Sequence, residues 1–300
     1  MVTYDCVMKI LRYILIAILL CLSSVRSGGA NRALLVCIGD YPDGSGWKGI
    51  SSARDKVILE DMLLRNGFRS SDINVLQDYR ATASAVKEAL RKLSDECRKG
   101  DVVYVHFSCH GQQVTDLNGD EPDGWDEALI PYDARALYEN AGYHGQNHLL
   151  DDDINLFLSE ISKAVGDDGL VLFVSDACHS GDNDRDDEDR EDPLMRGIYD
   201  RFVIPGNTIL TAAGTREENG WVRISACREY QNNYEIEVGN TTYGRLSYAL
   251  SRLFCKGQSV GELVRSIEEM YDEFPVKSGR PRQRLDSSVP ESMKDRIIIR

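Results

Sequence analysis

Long apolar runs and a surplus of positive charge are both missing from this 300-residue chain. Its 49 acidic residues outnumber its 35 basic ones and leave a formal net charge of −14 at pH 7. That balance disfavours binding to nucleic-acid phosphates or to anionic lipid surfaces. The apolar run Tyr13–Leu22 holds ten residues, too few to span a bilayer. We therefore expect no nucleic-acid partner and no stable membrane insertion of the mature protein.

The N-terminal segment has the layout of a secretion signal. Lys9 and Arg12 precede the apolar run, and small or polar residues follow it as far as Ser27. This pattern predicts a signal peptide over 1–27, cleaved before Gly28, and one large domain over 28–300. Export to the periplasm or the extracellular space follows, with an uncleaved membrane anchor as the alternative.

Cysteines are few and widely spaced. Eight occur in the chain and six lie beyond Ser27, without the dense spacing of a protein built on disulfides. The Cys-x2-Cys and His-x3-His spacings of zinc sites are also absent. We therefore expect free thiols, no zinc and no organic cofactor.

Two short, nearly continuous apolar runs end beside a histidine and a cysteine. The runs Asp101–Ser108 and Leu170–Ser175 are typical of strands buried on both faces, and His110 and Cys178 follow them. Open α/β sheets bind ligands beyond the carboxyl ends of their strands. The two side chains can therefore meet in one crevice as a Cys–His dyad.

Such a dyad suits nucleophilic catalysis on a carbonyl. An adjacent imidazole increases the thiolate fraction of a cysteine, so Cys178 is expected to attack and His110 to protonate the leaving amine. Gly111 lets the backbone approach a substrate closely. The amides of Gly111 and Cys178 are the expected oxyanion hole.

The remaining pattern alternates strands and helices, which predicts an α/β fold with a mostly parallel sheet and helices on both faces. Further strands are predicted at Ala33–Ile38, Ile73–Gln77 and Thr208–Ala213, and an edge strand is predicted at Ile297–Ile299. Helices are predicted at Ser52–Asn66, Thr82–Arg98, Asp152–Ser162, Tyr243–Leu253 and Val260–Phe274.

Several ordered motifs resemble those of metacaspases. Ser108-Cys-His-Gly111 is similar to their Ser-Gly-His-Gly box, and Asp176-Ala-Cys-His-Ser-Gly181 to their Asp-x-Cys-His-Ser-Gly box. Supporting segments occur in the same order, including Trp47–Asp55 and Asp126–Asp133. The resemblance implies a single six-stranded caspase–haemoglobinase domain with cysteine endopeptidase activity.

The resemblance also implies the specificity of the pocket. Asp55 and Asp176 are expected to line it, with Ser108 and Ser52 assisting, and two carboxylates favour a cation. Cleavage after Arg or Lys is therefore predicted, in peptide or protein substrates. In the structural alternative, Asp55 only begins or caps a helix and Asp176 is a satisfied strand-end residue. A caspase that cuts after Asp would need cations in the pocket instead.

The resemblance further implies calcium activation. By position, the calcium ligands would be Asp126, Asp151 and Asp152, with Asp184 or Asp186 serving in a third segment, where Arg185 occupies the expected place. The loop Asp116–Glu127 has oxygen donors at calcium-compatible spacing but lacks the glycine of an EF-hand. The alternative is a solvated acidic loop that binds nothing specifically. A non-catalytic, calcium-dependent binding protein on the same scaffold is the alternative function.

Charge is densest just after the proposed nucleophile. Eight carboxylates fall within 182–192, and such a density predicts an exposed loop. Arg185, Arg190 and Arg196 are candidate sites of self-cleavage there. The oligomeric state is left open by the sequence.

Overall fold

Six strands form one sheet at the centre of the molecule, in the order β11-β8-β7-β3-β1-β2. The computed structural model describes residues 29–121, 123–178, 194–206, 220–228, 231–276 and 282–299. The strands are β1 Asn31–Cys37, β2 Ile73–Gln77, β3 Val102–Ser108, β4 Gly111–Thr115, β5 Trp125–Leu129, β6 Leu149–Leu150, β7 Leu170–Asp176, β8 Val222–Ser225, β9 Glu235–Val238, β10 Thr241–Gly244 and β11 Asp286–Ser288. The helices are α1 Ser52–Arg65, α2 Ala83–Glu96, α3 Asp151–Val165, α4 Arg245–Leu253 and α5 Val260–Glu273.

The central sheet is parallel except at one edge, where β11 runs antiparallel to β8. Alternate residues of β1 serve two separate cores, because successive side chains of a strand point to opposite faces. Leu34 and Val36 face the core formed with α2 and α3, whereas Ala33 and Leu35 face the core formed with α1, α4 and α5. The predicted α/β class, with a mostly parallel sheet covered by helices on both faces, is confirmed.

Two smaller sheets lie beside the carboxyl ends of the central strands. The antiparallel sheet β4-β5-β6 begins directly after β3, and the hairpin β9-β10 precedes α4. Both place backbone next to the ends of β3 and β7, where the sequence predicts the site. Among the described residues, no helix has the length and apolar content needed to cross a bilayer.

The predicted elements agree with the structure except near the C-terminus and at two helix starts, one of which is the helix predicted from Tyr243, which begins only at Arg245 because Tyr243 and Gly244 belong to β10. Thr82 caps α2 as predicted, accepting a hydrogen bond from the Ala85 amide. The predicted edge strand Ile297–Ile299 is wrong, because Ile298 and Ile299 are buried in the helix-covered core and Asp286–Ser288 forms the edge. The strands β4, β5, β6, β8, β9 and β10 were not predicted, and the predicted strand at 208–213 lies outside the described residues.

The helix predicted to follow an Asp152 cap begins instead at Asp151, with Leu150 as its N-cap residue. Three aspartates, Asp151, Asp152 and Asp153, therefore occupy its first turn, where they interact favourably with the helix dipole.

Candidate active site

Cys178, the proposed nucleophile, and His110, the proposed acid/base, follow adjacent parallel strands at equivalent positions. Ser108 at the end of β3 is in register with Asp176 at the end of β7, and His110 and Cys178 each follow two residues later. Both side chains are buried. The sheet thus places the two proposed catalytic residues at one edge.

His110 has a defined orientation and protonation. Its Nε2 lies 2.8 Å from the carbonyl oxygen of Lys48, and since a carbonyl only accepts, Nε2 carries the proton. The other ring nitrogen, Nδ1, is buried without a hydrogen-bond partner among the described residues. The ring stacks on Trp47 at 5.1 Å between centroids. Burial lowers the pKa of His110 to about 4, so the imidazole is neutral near pH 7 and Nδ1 can accept a proton.

Cys178 is enclosed by neighbouring polar groups and by the backbone of a later segment. Its Sγ lies 3.6 Å from Asn232 Oδ1, and Asn232 Nδ2 is 3.2 Å from the Tyr199 hydroxyl. The backbone of Gly197 passes directly over the cysteine, because a Cβ built at Gly197 would lie 2.7 Å from Cys178 Cβ and 3.3 Å from its Sγ. A side chain at position 197 would therefore collide with the nucleophile.

Two backbone amides converge on a single carbonyl oxygen. The amides of Gly111 and Cys178 donate to the oxygen of Arg196 at 3.3 and 3.0 Å. Gly111 is needed for this approach, because a Cβ there would lie 2.0 Å from the Cys178 carbonyl oxygen. The arrangement has the geometry of an oxyanion hole occupied by a carbonyl of the same chain.

The side chain of Arg196 fills the pocket that the sequence predicts for a basic residue. Its Nη2 donates to Asp55 Oδ2 at 2.6 Å, and its Nη1 donates to Ser108 Oγ at 2.8 Å and lies 3.8 Å from Asp176 Oδ1. Arg196 is fully buried. Three of the four predicted pocket residues thus surround one guanidinium, while Ser52 Oγ is buried without a hydrogen-bond partner among the described residues.

Two further pocket residues were missed by sequence reasoning. Glu235 Oε1 accepts hydrogen bonds from Arg196 Nε at 3.2 Å and from Arg196 Nη2 at 2.9 Å. Ser51, one residue before the predicted Ser52, donates its hydroxyl to Glu235 and accepts from Arg196 Nη2 at 3.1 Å. No local motif marks Glu235, which reaches the pocket because β9 lies beside the ends of the central strands. We call these five residues, Ser51, Asp55, Ser108, Asp176 and Glu235, the Arg196 pocket.

The pocket places one guanidinium among three carboxylates, so its charges are only partly compensated, and burial raises the pKa of Asp55 despite the opposing Arg196 charge. Burial alone would raise the pKa of Asp176, but the Arg196 charge and hydrogen bonds from Asn233 and Ser247 lower it. Burial likewise opposes the charge on Arg196, yet the carboxylates of Asp55, Asp176 and Glu235 raise its pKa. Both partners are therefore held in their charged forms.

The backbone around Arg196 is paired on one side. The Arg196 amide donates to the Asn233 carbonyl at 3.0 Å, and the Glu235 amide donates to the Leu194 carbonyl at 2.7 Å. Through these bonds, Met195 pairs antiparallel with Tyr234, which directly precedes β9. Gly197 then forms a parallel bridge with Gly111. Residues 194–197 thus cross the site, bending at Arg196, whose side chain lies in the pocket.

A second group of carboxylates lies beside β5. Asp116, Asp120 and Asp126 each offer a carboxylate oxygen, and these oxygens all lie within 4.8 Å of one another; we call these three residues the acidic cluster. Asp126 Oδ1 and the Oδ1 of nearby Asp151 are buried without hydrogen-bond partners among the described residues. Burial and then neighbouring carboxylates raise the pKa of both Asp126 and Asp151 to about 7.

The predicted calcium ligands are placed only in part near this cluster. Asp126 belongs to it, and Asp151 and Asp152 are close enough to raise its pKa. Asp152 also accepts a hydrogen bond from Asn118 Nδ2 at 2.7 Å, and Asp184 lies outside the described residues. The clustered oxygens form the type of donor set that Ca²⁺ prefers, and the two buried carboxylate oxygens have no hydrogen-bond donor among the described residues. The described residues therefore fit a calcium ion.

Comparison with known proteins assigns the family. The caspase domain matches residues 30–284. Metacaspase-7 of Arabidopsis thaliana is 33% identical over 159 residues, covering 51% of this chain and 35% of that protein. Metacaspase-1 of Schizosaccharomyces pombe is 29% identical over 299 residues, covering 83% of this chain and 67% of that protein. The chain spans about a third of the length of several metacaspases that it matches.

Solved structures show the same fold at low sequence identity. Caspase-1 from Spodoptera frugiperda superposes with a TM-score of 0.55 at 11% identity, covering 86% of this chain and 88% of that one. Protein GSU0716 from Geobacter sulfurreducens gives a TM-score of 0.59 at 21% identity, covering 90% and 98%. From its ordered motifs, its fold and the domain match, the chain belongs to the caspase family of cysteine peptidases as a metacaspase-like member.

Proposed function

We propose that this protein is a cysteine endopeptidase that hydrolyses peptide bonds after Arg or Lys. The observation that carries the proposal is the fully buried Arg196 side chain, bound by three carboxylates while its carbonyl oxygen receives two backbone amides. A pocket that holds this arginine with its carbonyl beside the nucleophile can hold the same group of a substrate. A caspase-like pocket for aspartate would need cations where Asp55, Asp176 and Glu235 stand.

The reaction follows from the positions of three groups. His110 Nδ1 takes the thiol proton, Cys178 Sγ bonds to the carbonyl carbon, and the displaced carbonyl electrons move onto the oxygen held by the Gly111 and Cys178 amides. The C–N bond then breaks and the amine leaves with the proton from His110. Water, deprotonated by His110, releases the acid from the thioester and restores the thiol.

The same geometry favours self-cleavage at one of the three candidate arginines. Arg196 occupies the pocket and Gly197 passes over Cys178, so the Arg196–Gly197 bond has the position of a scissile bond. The other two, Arg185 and Arg190, lie outside the described residues. We infer that the uncut chain blocks its own site with this segment and that cutting it opens the site.

We also propose that calcium binds at Asp126, Asp151 and Asp152, with Asp116 and Asp120 adjacent and Asp184 as the predicted further ligand. A bound calcium ion would supply positive charge to buried carboxylates that otherwise repel one another. The alternative, a non-catalytic calcium-dependent binding protein, would use the same carboxylates without turnover. Export after removal of 1–27 remains part of the proposal, with a membrane-anchored form as its alternative.

The test uses residues 28–300, as wild type and as Cys178→Ala, with fluorogenic peptides ending in Arg, Lys or Asp. Each reaction is run with calcium and with chelator. Cys178-dependent cleavage after Arg or Lys supports the peptidase, and the chelator arm tests calcium. Cleavage only after Asp would contradict the pocket, and folded protein without any turnover would favour the binding function.

Sequencing of newly formed N-termini tests self-cleavage. A new terminus at Gly197 is expected from the active protein and not from Cys178→Ala. Fully active protein that stays intact would contradict any need for the cut.

A further inference from the structure

The segment that follows Gly197 is bound along β4 rather than released into solvent. Gln112 Nε2 donates to the Asp200 carbonyl at 2.8 Å. The Phe202 amide donates to the Gln113 carbonyl at 2.8 Å, and the Thr115 amide donates to the Phe202 carbonyl at 3.0 Å. The chain is therefore held on both sides of the Arg196–Gly197 bond.

The side chain of Phe202 occupies an aromatic pocket. Its ring lies 4.5 Å from His148, 5.8 Å from Tyr143 and 6.2 Å from Tyr138, measured between centroids. Gly145 closes the pocket, because a Cβ there would lie 2.9 Å from the Phe202 ring. Phe202 is completely buried, whereas its neighbour Val203 is 55% exposed. We call Tyr138, Tyr143, Gly145 and His148 the aromatic subsite.

The aromatic subsite is joined to the catalytic backbone by a chain of hydrogen bonds. Tyr143 and His148 are linked at 2.9 Å, and His148 Nε2 lies 2.9 Å from Gln112 Oε1. Gln112 directly follows Gly111, whose amide contacts the Arg196 carbonyl. Burial lowers the pKa of His148 to about 4, so the subsite stays uncharged and suits an apolar ring. A ring seated here has a fixed distance to the oxyanion hole.

From this geometry we propose that the aromatic subsite binds an aromatic side chain six residues beyond the cleaved arginine, and that it positions Arg196–Gly197 for cleavage within the chain. The proposal rests on the peptidase activity inferred above and adds a binding subsite that determines which bond is cut. Phe202 is thus a positioning residue, since it acts through the placement of the scissile bond.

Spacing explains why one arginine is selected. Phe202 lies six residues after Arg196 but 12 after Arg190 and 17 after Arg185. With the ring seated, only the shorter span leaves an arginine in register with the pocket. The remaining basic residue of the segment, Arg201, is held elsewhere, because its Nε donates to Gln113 Oε1 at 2.8 Å and its guanidinium lies 4.5 Å from the Trp125 ring.

The experiment follows self-cleavage of the full chain from a defined start. Wild type, Phe202→Ala, Phe202→Tyr and Val203→Ala are prepared with Cys178 as a reversible mixed disulfide, and dithiothreitol starts the reaction in buffer containing calcium. Intact mass and peptide mapping give the rate and position of each cut. Hydrolysis of a short Arg-ending fluorogenic peptide, which has no residues that could reach the subsite, is then measured on the fraction of each protein that has been cut after Arg196.

We expect Phe202→Ala to slow cleavage at 196 by about tenfold or more, as the loss of a buried ring implies, and to shift cuts toward Arg185 and Arg190. Val203→Ala should behave as wild type and Phe202→Tyr should retain most of the rate. On protein already cut after Arg196, Phe202→Ala should leave short-peptide hydrolysis as in wild type, which also shows that the substituted protein is folded.

Equal rates and positions of self-cleavage in Phe202→Ala and wild type would overturn the positioning role while leaving the peptidase intact. A parallel loss of short-peptide hydrolysis would also overturn it, because the ring would then support the fold rather than the register. If no variant hydrolyses the short peptide, the proposed peptidase function itself fails, together with the subsite that depends on it.

Discussion

The protein holds two groups of carboxylates that differ in burial and in their partners, since the Arg196 pocket is buried throughout whereas Asp120 of the acidic cluster is exposed. In the Arg196 pocket, Asp55, Asp176 and Glu235 surround a guanidinium of the same chain. In the acidic cluster and nearby Asp151, two carboxylate oxygens are buried without partners among the described residues, and the pKa values of Asp126 and Asp151 rise to about 7. The Arg196 pocket holds a cation of the same chain, whereas the acidic cluster with Asp151 is where we propose that calcium binds.

The contrast teaches that acidic composition alone does not identify a binding site. Asp55 and Asp126 are both buried aspartates, yet the first is bonded to Arg196, Ser108 and the Gly244 amide. Buried carboxylates are stable when they are paired and hydrogen-bonded, and costly otherwise. The following changes should break or sharpen this comparison, and they are given from the largest expected effect to the smallest.

Removing the internal cation should have the largest effect on stability. Arg196→Met in a Cys178→Ala background leaves three buried carboxylates facing one another, so we expect the free energy of unfolding to fall by about 3 kcal/mol. Urea unfolding measures the change, and Arg201→Met, which loses a half-buried cation instead, is the matched control. Agmatine, a small guanidinium compound, should restore part of the loss. Equal stability of Arg196→Met and Arg201→Met would show that Arg196 does not stabilise the buried carboxylates around it.

Under the calcium proposal, adding calcium should stabilise the protein through the acidic cluster and Asp151. Calcium at about 100 times its dissociation constant should raise the free energy of unfolding by about 2.7 kcal/mol, and Asp126→Asn should remove most of this gain. Asp153→Asn is the control, because Asp153 lies in the same helix turn as Asp151 but accepts a hydrogen bond from Lys87 at 2.7 Å. A gain that survives Asp126→Asn would place any calcium elsewhere.

Buried His106 should lower the free energy of unfolding in mild acid, against the opposite contribution of Asp126 and Asp151, whose raised pKa values stabilise the fold as the pH falls from 7 to 5. Burial lowers the pKa of His106 to about 3, so the unfolded chain takes up a proton below its ordinary value near 6.5 while the folded chain does not. The stabilising contribution is present above pH 6.5 and falls by about 2 kcal/mol between pH 7 and pH 5. His106→Gln should reduce this pH dependence, measured by urea unfolding at both pH values, and an unchanged dependence would contradict the assignment.

The smallest expected effect is on the preference of the Arg196 pocket for Arg over Lys substrates. Glu235 accepts from both Nε and Nη2 of Arg196, and a lysine ammonium lacks this paired geometry. Glu235→Gln should therefore lower the ratio of kcat/KM for Arg over Lys peptides by about tenfold. Glu237→Gln, an exposed change on the same strand, should leave the ratio unchanged. A similar loss for both peptides would mean that Glu235 supplies only general negative charge.

Much of the fold could be predicted because local signals coincide with the elements. The buried strands β3 and β7 are continuous apolar runs, and Thr82 marks the start of α2. Ile297–Ile299 was misassigned because an apolar triplet is equally suited to packing under a helix. β8 was missed because Val222–Ser225 has only four residues and includes a charged Arg223.

The site could be predicted as far as its motifs extend. His110, Cys178, Asp55 and Asp176 lie in sequence boxes, and the structure brings their surroundings together. Glu235 and Ser51 have no such box, because they reach the pocket only through long-range packing of β9 against the start of α1. The aromatic subsite could not be predicted from the sequence either, since Phe202 and His148 are 54 positions apart.

The tethering of Arg196 has a kinetic consequence. A group held near its pocket by a short stretch of chain has an effective concentration of the order of millimolar. Free basic peptides at micromolar concentration would then occupy the pocket only about one thousandth as often at equal intrinsic affinity. Before the segment is cut, the proposed enzyme would therefore respond poorly to dilute substrates, and cutting would change its apparent KM much more than its turnover rate.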